Sequence, residues 1–90
     1  MNKAQQHRSD YLYEQHLTYL TLQGKRLATI DAYSRALRRI THQLDKSPDT
    51  LTTDDLKRYF TQLLNTYSWS TVKIDRNGLQ LFFKHILQRD

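Results

Sequence analysis

The cations and carboxamides of this chain fall at spacings that suit a phosphate backbone and the edges of bases. Placed at about 100° per residue around a helix axis, Arg35, Arg38, Arg39, His42 and Lys46 share one side within an arc of roughly 100°. The opposite side of the same segment carries Ile30, Tyr33, Leu37, Ile40 and Leu44. A second polar stripe, Lys73, Asn77, Gln80, Lys84 and Gln88, advances by four, three, four and four and so occupies one helix face. That face holds no Asp or Glu; Asp75 falls off it toward the apolar side, and Arg76 flanks it. Lys and Arg neutralise phosphates, whereas Asn, Gln and Arg match the donor and acceptor pattern of the major groove. The first amides of both helices, near Thr29 in one and near Ser70 and Thr71 in the other, suit a phosphate. Lys25 and Arg26 precede the first of these helices and reinforce such a contact.

An Arg-rich helix face is by itself usually a solvated one. What favours a polyanionic partner is segregation: Asp54 and Asp55 sit at a helix start, and Asp45 and Asp49 in or beside a loop. The net charge of +5 over 90 residues points the same way, since charge speaks to partners rather than to fold.

Other chemistries lack their parts. The chain has no Cys, and its four His have no zinc-site spacing, so neither a metal nor a cofactor is expected. His16 lies on an apolar stripe, where a packed side chain is the ordinary outcome. There is no Gly-rich phosphate loop of the nucleotide-binding types and no arrangement of Ser, His and Asp that suggests a triad. Of the six Tyr, Tyr19, Tyr33, Tyr59 and Tyr67 occupy core-stripe positions, which argues for packing over nucleophilic work. Trp69, between Tyr67 and Val72, is expected to plug the core. No run of about 18 apolar residues offers a membrane span, and the N-terminus lacks the apolar segment of a secretory signal.

The elements that position these residues are all helical. Two Gly, one Pro and abundant Leu, Gln, Lys and Arg favour helices, and no segment alternates with period two. Residues 1–8 read as a flexible terminus and 9–90 as one helical domain. A first helix is expected from Ser9 or Asp10 to Gln23, with Gly24 as the left-handed residue that ends it. A second, with Thr29 as cap, stops before the loop at Lys46–Asp49. Leu51-Thr52-Thr53-Asp54-Asp55-Leu56 reads as a capping box inside a hydrophobic staple and starts a third. Its core positions are Leu56, Tyr59, Phe60, Leu63, Leu64 and Tyr67. A fourth, capped by Ser68 or Ser70, runs to about Gln88 with Val72, Leu79, Phe82, Phe83 and Ile86 inward. Gly78 within it implies close backbone approach, by a neighbouring helix or by DNA.

This ordered set resembles the N-terminal SAM-like, core-binding domain of tyrosine recombinases and phage integrases. The likeness is carried by Tyr19-Leu20 to Gly24 with Thr29 to Tyr33 and Leu37 to Ile40, by Leu51 to Leu56 with Tyr59, and by Ser68 to Val72 with Arg76, Leu79, Phe82 and Phe83. It spans residues 10–88, and Asn77-Gly78 departs from the family pattern. The resemblance implies a compact all-α four-helix SAM-like fold. It also implies a chain that clamps double-stranded DNA for recombination or integration while a separate domain cuts it. That catalytic domain carries a His-x-x-Arg element, which is not found here, so the chain reads as a non-catalytic fragment. A cytoplasmic setting on bacterial or phage DNA, recombinase subunits as partners and a monomeric isolated domain are further expectations. The DNA-contacting set is then Lys25, Arg26, Thr29, Arg35, Arg38, Arg39, Ser70, Thr71, Lys73, Arg76, Asn77, Gln80 and Lys84. The alternative from the residues is a helical protein-interaction module with an incidentally basic surface, using Ile74 and Leu81 as an exposed apolar strip. A helix-turn-helix regulator fits less well, because no short recognition pair stands out.

Overall fold

The computed structural model describes residues 1–88. Four helices follow one another: α1 (Lys3–Leu22), α2 (Leu27–Leu44), α3 (Thr53–Thr66) and α4 (Trp69–His85). A 3-10 turn at Pro48–Thr50 joins α2 to α3, and the described residues contain no strand. The fold is the all-α four-helix one expected.

The helix ends follow local chemistry. The Asn2 side chain accepts from the Gln5 amide at 2.8 Å, and the Gln5 side chain accepts from the Asn2 amide at 3.1 Å. This capping box starts α1 at Lys3, well before the expected Ser9 or Asp10, so residues 3–8 are helical. Two ion pairs tie this segment to the α2–α3 connection: the terminal amine with Asp45 at 2.6 Å, and Arg8 with Asp49 at 3.3 Å. At the other end, Gly24 has φ +71°, which places it in the left-handed region. Its amide donates to Thr21 O and the Lys25 amide to Leu20 O, the double closure of a Schellman motif.

α2 begins at Leu27, two residues before the expected Thr29, and its cap, Arg26, makes no side-chain hydrogen bond. α3 starts as its sequence implies. Thr52 Oγ1 accepts from the Asp55 amide at 3.1 Å, and Asp55 Oδ2 accepts from the Thr52 amide at 3.0 Å. Ser68, not Ser70, caps α4, which ends at His85 rather than near Gln88.

The core gathers Leu12, Leu37, Ile40, Tyr59, Leu63 and Phe82 among others, with α2 and α4 forming its principal contact. Three aromatic or aliphatic residues expected inside lie outside: Leu64 is 49% exposed, Tyr67 43% and Trp69 61%. Only Tyr59 and Leu63 carry α3's inward stripe to full burial beside Asp55. Tyr67 and Trp69 flank the α3–α4 turn, where the Arg39 side chain of α2 reaches over Tyr67. His16, by contrast, is fully buried as a packed side chain, with Nε2 at 3.3 Å from Tyr33 O and its ring edge-on to Phe82.

Gly78 is buried, and a Cβ there would lie 3.0 Å from the Tyr33 ring and 3.1 Å from Tyr33 Cα. The close approach is therefore by α2, which settles the choice between helix and DNA. Tyr33 meets Gly78 while Arg39 meets Asp75, so the two helices run in opposite senses.

Candidate nucleic-acid interface

The inner arc of α4 is Val72, Asp75, Gly78, Leu79 and Phe82, all buried. Fixing that arc against α2 and α3 fixes the opposite one by helix geometry. Lys73, Asn77, Gln80 and Lys84 are accordingly all exposed, as is Arg76 at their flank. Among the described residues none of Lys73, Arg76 and Lys84 forms an ion pair, and no carboxylate shares the stripe. Lys73 and Lys84 are eleven residues apart, which spans about 16 Å of helix.

The α2 cations are placed differently. Arg35 is exposed and pairs with Asp31 one turn earlier at 3.1 Å. Arg38 lies over the Tyr13 ring of α1, 5.7 Å from its centroid. Arg39 departs from the sequence expectation. Its guanidinium binds Asp75, whose side chain is 5% exposed, and lies 5.1 Å from the Tyr67 ring centroid. It is spent on helix packing and is not a free phosphate ligand. Burial raises the Asp75 carboxyl pKa, and Arg39 opposes that rise. Burial also pushes the neighbouring Tyr59 hydroxyl up to about 12, with the Asp75 charge adding to it. Desolvation offsets much of the attraction in such a pair, whereas removing one partner leaves the other charge uncompensated.

Lys46 leaves the α2 face as well, donating to Asp55 at 2.9 Å. Asp55 also receives Arg58 at 2.7 Å. The Thr52 amide first, then Lys46, hold its carboxyl well below the usual carboxylate range.

At the α1–α2 connection Lys25 and Arg26 are exposed and Thr29 is half-buried. Ser70 is exposed in the first turn of α4, and the half-buried Thr71 gives its amide to Ser68 Oγ at 3.5 Å. The structure thus groups Arg76, Gln80 and Lys84 along one cleft beside α3, and places Arg38 in another between α1 and α2. The residues that sequence reasoning missed are the internal partners: Asp75 and Tyr67 for Arg39, and Tyr13 for Arg38. Asp75 carried a readable signal, since it precedes Gly78 and Phe82 at helical spacing on the inner arc.

Comparison with known proteins gives a family. The family model described as phage integrase, N-terminal SAM-like domain, matches residues 12–90. Searches of curated proteins and of solved structures return no match. The matched span takes in part of α1 and all of α2, α3 and α4, and with it every stripe described above. The chain belongs to the phage integrase N-terminal SAM-like domain family.

Proposed function

We propose that this chain is a duplex-DNA-binding, core-binding module of a tyrosine recombinase, gripping DNA while another domain breaks and rejoins the strands. The observation that carries the reading is the outer face of α4: exposed cations and carboxamides in register, with no carboxylate among them and no ion pair to a described residue. An α-helix fits the major groove, which is about 12 Å wide. Lys73, Asn77, Gln80 and Lys84 enter or border it, and Arg76, Ser70 and Thr71 flank it. Arg35 and Arg38 neutralise phosphates from α2, and Lys25, Arg26 and Thr29 hold the backbone. Arg39 has no part in the contact. The chemistry of strand transfer belongs to other residues than these, so this chain works by positioning.

Titration of the labelled chain with a duplex, followed by amide shifts, tests the reading. Shifts centred on α4 and the start of α2 are expected, with affinity that falls steeply with salt, log K changing by about 0.9 per log unit of salt for each phosphate neutralised. Shifts confined to α1 and α3 would refute it. A second reading, a helical protein-interaction module, is favoured by Ile74, which is 45% exposed on the same helix. Salt-insensitive self-association without any response to DNA would support that reading instead.

A further inference from the structure

An open groove of about 960 Å³ runs between the start of α3 and one flank of α4. Its floor is apolar: Leu56, Phe60 and Phe83, each partly buried, with Leu51 and Leu79 beneath. One rim is a rail on α4, Arg76, Gln80 and Lys84, spaced one turn apart, with a length of about 12 Å. The other rim is the segment from Asp49 to Thr53. The charges are one-sided. Arg76 and Lys84 form no ion pair with a described residue, while the Asp49 carboxylate is turned to Ser47 and Arg8.

We propose that this groove binds an acidic amphipathic helix of a protein partner. Apolar anchors at i, i+3 or i+4, and i+7 enter the floor, and carboxylates on one flank meet Arg76 and Lys84. The size agrees. A helix of about eight residues is as long as the rail of about 12 Å from Arg76 to Lys84. Duplex DNA does not suit the floor, because two Phe and three Leu offer its phosphates no donor. An added strand has no place to pair, since the described residues contain no sheet edge.

Gln80 and Lys84 belong both to this rail and to the face proposed for DNA, so partner helix and duplex exclude one another there. Only that exclusion rests on the DNA reading; binding of the helix does not.

The test is selection of a displayed library of helical twelve-residue peptides against the folded chain, with selected peptides mapped by amide shifts. Peptides with the stated anchor spacing and Glu or Asp on one flank are expected, shifting Thr52, Leu56, Phe60 and Phe83. The double variant Arg76→Glu, Lys84→Glu, altered only at exposed positions, should lose these peptides by about tenfold or more and select Lys- and Arg-bearing helices instead. Selected peptides that map elsewhere, that show no acidic preference, or that bind the double variant equally well overturn the proposal, as does a selection that yields none. A short duplex added at low salt should displace the peptides. A chain that takes acidic helices but ignores DNA keeps this inference and sinks the DNA reading; the reverse result does the opposite.

Discussion

The outer faces of α2 and α4 look alike on paper and differ in what their cations do. On α2, Arg35 faces Asp31, Arg38 covers Tyr13, and Arg39 is bound to a buried carboxylate. On α4, Lys73, Arg76 and Lys84 have no such partner among the described residues. A basic stripe is therefore not one thing. A cation with a buried counter-charge holds helices in register, one with an exposed counter-charge is loosely held and can change partners, and one with none is available to a polyanion. Gly78 and Asp75 turn α4 so that its unpaired cations face away from α2.

The comparison breaks most sharply at Asp75. Asp75→Ala leaves the Arg39 guanidinium without its counter-charge in the α2–α4 contact, and should cost about 3 kcal/mol in urea denaturation. Lys73→Ala should change that stability by less than about 0.5 kcal/mol. Equal losses in the two variants would mean that the inner and outer faces of α4 do not differ as described.

Gly78→Val comes next. Its Cβ would meet Tyr33, backbone included, at 3.0–3.1 Å. Overpacking of this kind costs about 1–3 kcal/mol, only partly offset by the roughly 1 kcal/mol or less that a side chain recovers over Gly in helix propensity. A thermal melt is the measurement, and an unchanged midpoint would show that α2 and α4 have room to separate.

Acid should loosen the same contact through His16. Burial lowers its pKa, outweighing the contact with the Tyr33 carbonyl that raises it, and Nδ1 has no hydrogen-bond partner among the described residues. The unfolded chain thus binds a proton more readily than the folded one. Stability is fully present above the unfolded value of about 6.5 and declines below it, by at most about 1.4 kcal/mol per pH unit from this group. Urea midpoints at pH 7.5 and 5.5 should show the fall in the native chain, and a smaller one in His16→Gln. If both chains fall equally, His16 is not the group responsible.

The smallest effect separates the two faces by function. Lys73→Gln and Lys84→Gln should each flatten the salt slope of duplex binding by about 0.9 with little change in stability. Arg39→Gln should lower stability and leave the slope unchanged. A slope that responds to Arg39 as it does to Lys73 would return Arg39 to the DNA contact.

Much of the architecture was legible in advance because its causes are local. The α3 start follows from Thr52, Asp55 and the flanking Leu, which lie close together in the chain, and the end of α1 from Gly24, which tolerates its backbone angle cheaply. The Asn2–Gln5 box is equally local, but residues 1–8 carry no apolar period to mark a helix there. Tyr67 and Leu64 lie outside for the opposite reason: their period is helical, but whether a helix face is covered depends on how many neighbours reach it, and Trp69, expected inside only from its neighbours Tyr67 and Val72, shares that exposed end. Helix type, helix number and the sorting of charge onto stripes follow from the chain alone, because they arise from contacts three or four residues apart. Which cations are spent and which are free was decided only in three dimensions. Arg39 and Asp75 are thirty-six residues apart, and no spacing rule reaches across a loop and a whole helix to join a charge to its partner.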